Sequence, residues 1–313
     1  MLDGGLATEL EAHGHDLSDR LWSARVLRDD PDAVVAAHRA YFDAGAEVAI
    51  TASYQATREG FAATGMTVAE TDALIASSVE LARRAAQQHV TAHGSRPLWV
   101  AGSVGPYGAM LGGGEEYTGA YTLSVEQLRE FHRPRMLVLR DAGADVLALE
   151  TMPQLAEVEA VVAEVDALGV AAWLAVSVEG DRLRSGEDVD AAFELAGAGR
   201  HVIAVGVNCS DPRDAGRLVR RAVDRSGKPA VVYPNSGEAW DPLARRWVGT
   251  PGLAGVDVGA WLRDGARLVG GCCRSGPRDS AAVAAAVAAA RQSPRAAPRA
   301  APTAAPAASD RSA

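Results

Sequence analysis

Seven short apolar runs, each followed by a stretch of helical periodicity, govern what this chain can fold into. They are AEVAITASY (46–54), PLWVAGSVGP (97–106), DVLALET (145–151), AAWLAVSV (171–178), HVIAVGVNC (201–209), PAVVYPNSG (229–237) and ARLVGGCC (266–273). The runs are largely apolar on both faces, as strands covered on both sides of a parallel sheet must be. After DVLALET, Leu155, Val158, Val162, Val165 and Leu168 step by three or four residues, with Pro153 suited to a first helical turn and Gly169 to its close. Strand, helix, strand repeated along one chain builds right-handed crossovers and a parallel sheet. An eighth strand would close a (β/α)8 barrel. The place left for it is the N-terminus, where MLDGG offers two residues before a turn. The expectation is an α/β chain folded as a (β/α)8 TIM barrel with a shortened first strand, or with its true start upstream of Met1. A doubly wound open sheet is the structural alternative.

At 313 residues, 48% apolar and 23% charged, the chain can bury a full core. A net charge of −9 argues against a nucleic-acid partner. No apolar run reaches the roughly 18 residues a membrane span needs, and no signal-peptide pattern opens the chain. Three cysteines cannot all pair within one chain, so the expectation is a reducing cytoplasm, where clustered thiols signal metal or redox chemistry. From Gln292 onward, Pro294, Pro298, Pro302 and Pro306 recur among alanines, a composition that forbids a helix and has nothing bulky to bury. The expected organisation is therefore a barrel over 1–291 and a disordered tail over 292–313, with a partner-binding proline motif as the alternative reading of the tail.

Cys209 ends one apolar run, and Cys272 and Cys273 end another. Counting by twos, Val205, Val207 and Cys209 share a face, as do Leu268, Gly270 and Cys272. Neighbouring strand residues point to opposite faces, so two adjacent thiols serve one site only where the backbone turns; Gly270 and Gly271 permit that. All three thiols then stand at C-terminal strand ends, the rim where barrel active sites are built. Three thiolates suit zinc, and three protein ligands leave its fourth position open, as catalytic sites do. The alternatives are core packing for Cys209 and a strained Cys272–Cys273 disulfide.

Other residues reach the same rim by the same count. Asp3, Gly4 and Gly5 form the first loop, Thr51 to Tyr54 end a run, and Glu150 follows Val146 and Ala148 on one face. A carboxylate at the end of a buried strand needs a cation or donor, either a structural salt bridge or a substrate ammonium. The glycine-rich loop GPYGAMLGGGEEYTGAY carries Tyr107, Tyr117 and Tyr121 and lacks the Lys and Ser/Thr of a phosphate loop; at a barrel rim it would act as a lid. His13 and His15 could bind metal or simply lie in a solvated turn.

LDGGLATEL, ITASYQAT, GSVGPYGA, FHRPR, VGVNCS, VVYPNSGE and GGCCR, in that order, resemble the homocysteine S-methyltransferase family over about residues 2 to 290, most closely the branch that uses S-methylmethionine. The resemblance implies a (β/α)8 barrel with zinc on Cys209, Cys272 and Cys273. It implies that Asp3 and Glu150 hold the homocysteine ammonium and that backbone groups near Gly4 and Thr51 hold its carboxylate. The implied reaction transfers a methyl group from S-methylmethionine, or from S-adenosylmethionine, to the homocysteine thiolate and yields methionine. Binding to zinc deprotonates the thiol, so no general base on the protein is required. The donor sulfonium is cationic, and the faces of Tyr107 and Tyr117 are candidates to hold it. The alternatives are betaine as donor and a non-catalytic barrel that binds zinc and homocysteine; no corrinoid-binding domain accompanies the barrel.

Overall fold

Each of the seven runs contains a strand: β1 (Val48–Ile50), β2 (Trp99–Val104), β3 (Val146–Met152), β4 (Ala172–Val176), β5 (Val202–Asn208), β6 (Ala230–Tyr233) and β7 (Ala266–Val269). They form one sheet in chain order with every neighbouring pair parallel. The computed structural model describes residues 1–17, 23–241, 246–249, 253 and 256–292. The Ala/Pro tail lies outside the described residues except for Gln292, which ends the helix Pro277–Gln292.

The N-terminal stub occupies the eighth position of the sheet. Leu2 makes a parallel bridge to Val48 of β1, and its N–H donates to the Val269 carbonyl of β7 at 2.8 Å. The Asp3 N–H donates to the Val48 carbonyl at 3.1 Å, and the Gly271 N–H to the Asp3 carbonyl at 3.1 Å. A two-residue stub thus links the two edges of the curled sheet through a single bridge and these hydrogen bonds. Gly270 makes room for it: a Cβ there would lie 2.7 Å from both the Asp3 carbonyl oxygen and Leu2 Cβ. Neither Gly270 nor Gly271 has a positive φ, so close approach, rather than the expected unusual backbone angle, is what requires glycine at 270.

Two apolar layers flank the sheet. The inner one holds Leu2, Ala101, Ala148, Ala175 and Ala204 around Trp173 and Tyr233, small residues leaving space for two large ones. The two rings meet edge-to-face at 6.5 Å, and Trp173 Nε1–H donates to the Tyr233 hydroxyl at 3.1 Å, so the buried polar atoms are paired. The outer layer, between sheet and helices, takes the alternate residues, among them Val205, Val207, Leu147 and Leu149.

The helix after β3 spans Leu155–Leu168 and closes on Gly169 at φ 65, as its sequence foretells. Pro153 stands before the N-cap Gln154 and not in the first turn as expected: the helix begins two residues later, at Leu155. The loop after β2 contains a helix, Tyr107–Leu111, and a 3-10 turn, Glu115–Tyr117. Among the described residues no helix is long and apolar enough to cross a membrane.

Candidate active site

Inside-outside alternation along β5 places Ala204 in the barrel and Val205 and Val207 under the helices. Extended one step further, it would send Cys209 outward with Val207. The left-handed backbone at Cys209, φ 49, turns the residue back to the rim. The shared face expected for Val205, Val207 and Cys209 is therefore corrected: the site depends on a break in the alternation. On the other side Leu268 and Cys272 do face inward, and Arg274 at φ 64 turns the chain just after Cys273. The end of β6 ties the two segments together. The Cys209 N–H donates to the Tyr233 carbonyl at 3.3 Å, the Cys272 N–H to the Pro234 carbonyl at 2.8 Å, and the Ser236 N–H to the Cys273 carbonyl at 3.1 Å.

The three thiols meet. Cys209 Sγ lies 3.5 Å from Cys273 Sγ and 3.3 Å from Cys272 Sγ, and all three lie within 4.8 Å of one another. A tetrahedral zinc with Zn–S of about 2.3 Å requires sulfurs about 3.8 Å apart. The donor set and spacing therefore fit that ion. Cys273 accepts hydrogen bonds from Cys209 and Cys272, which hold its thiol well below the usual range. Cys272 donates to Cys209 and is pushed well above it. Cys209 accepts from Cys272, but donation to Cys273 and burial push it up overall. Three crowded sulfurs can all become thiolates only around a cation.

Beside them Glu150, at the inward position after Ala148, is 6% exposed and accepts from the Ser103 hydroxyl. Burial pushes its carboxyl up to about 7, against hydrogen bonds from Ser103 and Tyr233. Thr51 Oγ1 lies 2.7 Å from Ser53 Oγ and accepts from the Ser103 N–H at 2.9 Å. Asp3 Oδ2 accepts from the Ile50 N–H at 2.8 Å, while Oδ1 is buried with no partner among the described residues. Burial pushes the Asp3 carboxyl well above its usual range. Gly4, Thr51, Glu150, Tyr117 and the three cysteines line one cavity of about 1130 Å³; Asp3, next to Gly4 and bonded to Ile50 of that lining, does not itself line it. A buried carboxyl on the cavity wall, with a second one beside it, can receive an ammonium.

Two of the tyrosine expectations part ways. The Tyr117 hydroxyl stands 3.7 Å from Cys209 Sγ and 4.0 Å from Cys273 Sγ, so the loop folds over the thiols. Tyr107 is not brought to the cavity. Its ring packs at 5.3 Å on Tyr121 and 5.0 Å on Phe131, and it is absent from the cavity lining. His13 and His15 join neither group of potential metal ligands among the described residues.

The second such group, Asp43, His89 and His93, is already engaged. Asp43 pairs with His89 at 2.6 Å and with Arg39 at 3.3 Å, and Arg96 Nε–H donates to His89 Nε2 at 3.1 Å. Two guanidiniums at the cluster oppose a further cation.

Sequence reasoning missed two asparagines. Asn208 bonds Thr151 across the barrel mouth, and Asn235 lines the cavity with a buried Oδ1 that has no partner among the described residues. Their positions, beside Cys209 in VGVNCS and in YPNSG at the end of β6, were the available signal.

A sequence profile described as homocysteine S-methyltransferase matches residues 1–287. The chain is 44% identical to the homocysteine S-methyltransferase of Escherichia coli (strain K12) over 289 residues, covering 90% of this chain and 93% of that one. It is 40% identical to a selenocysteine Se-methyltransferase of Brassica oleracea var. italica, covering 90% and 87%. The crystal structure of the Escherichia coli homocysteine methyltransferase MmuM in its metallated form superposes with a TM-score of 0.80 at 43% identity, over 91% of this chain and 94% of that one.

Proposed function

The chain belongs to the homocysteine S-methyltransferase family, and on that premise we propose that it transfers a methyl group from S-methylmethionine to homocysteine, using zinc held by Cys209, Cys272 and Cys273. The observation that carries the reading is the meeting of three thiols from two strand ends on the rim of a cavity that also holds a buried carboxyl, Glu150. Zinc bound there supplies an acceptor thiolate at neutral pH without removing its nucleophilicity.

The chain's own residues do the rest. Glu150 and Asp3 receive the homocysteine ammonium, whose charge offsets the cost of ionising two carboxyls that burial pushes up. Backbone groups near Gly4 and Thr51 receive the carboxylate. Tyr117 borders the sulfurs, and the part of its π face left by the Arg184 guanidinium, 5.9 Å from the centroid, would receive the donor's cation. The sulfonium's S–CH3 bond breaks as the new S–CH3 bond forms on the homocysteine sulfur. The electron pair stays on the donor, now a neutral thioether that has lost its attraction to the ring. Residues 1–291 act as one domain, and thiols that must stay reduced suit the cytoplasm.

The deciding experiment is a donor panel with zinc-loaded protein and homocysteine, comparing S-methylmethionine, S-adenosylmethionine and betaine at equal concentration. The expected result is fastest turnover with S-methylmethionine, two methionines per cycle and no need for cobalamin. Preference for either other donor overturns the donor assignment. No methionine from any donor, with zinc bound, would indicate a binding barrel without chemistry.

A further inference from the structure

The FHRPR segment, residues 131–135, has no part in the chemistry above, yet its side chains reach the site's framework. Arg135 is 2% exposed. Its Nη1–H donates to the Tyr54 carbonyl at 2.7 Å and its Nη2–H to the Gly105 carbonyl at 2.5 Å, the two chain segments that leave β1 and β2. The same Nη2 lies 3.3 Å from His132 Nδ1, and His132 Nε2 lies 2.7 Å from Glu157 Oε1. A guanidinium only donates and a carboxylate only accepts, so a neutral His132 with its proton on Nε2 satisfies both neighbours. Burial holds the His132 imidazole below its usual range, in accord with that neutral form.

The relay ends on the loop that reaches the thiols. Glu157, fully buried, accepts the Tyr107 N–H on Oε1 at 2.7 Å and the Tyr121 hydroxyl on Oε2. One carboxylate therefore pins both ends of the segment 107–121, whose middle places Tyr117 against Cys209 and Cys273. Any buried carboxylate needs donors; here two of them come from the two ends of a single loop, which the carboxylate thereby joins. We propose that Glu157, oriented by His132 and Arg135, is a positioning residue that sets the loop over the thiol cluster and thereby shapes the donor's half of the site. The link to the donor rests on the reading given under Proposed function; the anchoring of the loop does not.

The test uses full-length, zinc-loaded protein carrying Tyr121→Phe or Glu157→Gln. Tyr121→Phe removes one hydroxyl and keeps the ring, so it tests the anchor even if Glu157→Gln fails to fold. Two readouts are taken: backbone hydrogen exchange of 107–121, and KM for homocysteine and for the sulfonium that the wild type turns over faster. Losing a hydrogen bond to a buried carboxylate should speed exchange in 107–121 and raise donor KM by about tenfold or more, with homocysteine KM and zinc content unmoved. Unchanged exchange in 107–121, or an equal rise in both KM values, overturns the proposal. If the wild type accepts only betaine, the sulfonium reading fails, while the exchange measurement still decides whether Glu157 holds the loop.

Discussion

Asn208 and Thr151 face each other across the mouth of the barrel and satisfy one another twice. Asn208 Oδ1 accepts the Thr151 N–H at 2.7 Å, and Asn208 Nδ2–H donates to Thr151 Oγ1 at 2.8 Å. Thr151 sits at φ 62, a left-handed conformation that a β-branched residue rarely adopts, and it directly follows Glu150. Asn208 directly precedes Cys209, itself at φ 49. One amide thus bridges the strand end bearing the carboxyl and the strand end bearing a thiol, and offsets backbone strain at both.

Asn208→Ala should therefore cost about 2–4 kcal/mol, since it leaves a buried N–H without a partner in an already strained turn. Urea unfolding measures this. Thr151→Gly, which loses the hydroxyl but relieves the left-handed strain, should cost less. An Asn208→Ala midpoint equal to wild type would show that the bridge contributes nothing.

Metal analysis should find about one zinc per chain in the wild type and a strong loss in Cys272→Ala. The expectation follows from sulfurs 3.3 and 3.5 Å apart that can ionise together only around a cation. Full retention in the mutant would remove Cys272 from the ligand set.

Glu150→Gln should raise homocysteine KM far more than donor KM. A lost charge-assisted hydrogen bond is worth about 1.5–3 kcal/mol, or about 10- to 160-fold in affinity. Equal effects on both substrates would reduce Glu150 to a structural role.

The same carboxyl makes a pH prediction for the metal-free, substrate-free protein. Burial raises it from the ordinary value to about 7 in the folded state. Between those two values the folded chain binds the extra proton, so its contribution to stability falls as pH rises through that window. Glu150→Gln, which carries no charge at either end, should lose less stability than wild type between pH 5 and pH 8. Parallel melting curves for the two proteins across that range would contradict this.

Gly270→Ala should destabilise by about 1–3 kcal/mol through overpacking, because its Cβ would press on Leu2 and on the Asp3 carbonyl at 2.7 Å. The displaced stub carries Asp3, so homocysteine KM should rise as well. A wild-type melting temperature would show that the N-terminal residues do not need that gap.

The seven strands were readable because each lies in a short, largely apolar run, and burial is written in residue type. The cysteines and Glu150 were readable for a related reason: thiols and a carboxyl at the ends of such runs are chemically conspicuous, whereas the role of Asp3 came only from the family resemblance. Alternation also put Glu150 on one face with Ala148 and Cys272 on one face with Leu268, and in the structure Ala148, Leu268 and Cys272 belong to the inner layer.

The rest depended on backbone turns and on contacts between segments far apart in the chain. Cys209 is out of phase with the inner face and reaches the rim only through a left-handed φ, which the threonine-asparagine bridge from another strand sustains. Tyr107 and Tyr117 belong to one loop and look alike as candidates, but the first packs on Phe131 and the second meets the thiols. Glu157 is one of several acidic residues on its helix, and what sets it apart is its bonding to His132, itself held by Arg135, and to Tyr107 and Tyr121. Local residue chemistry settles which groups can react or be buried. Which of them share a cavity is decided by side-chain hydrogen bonds that span from 25 to 156 residues of chain, and these exist only once the barrel has formed.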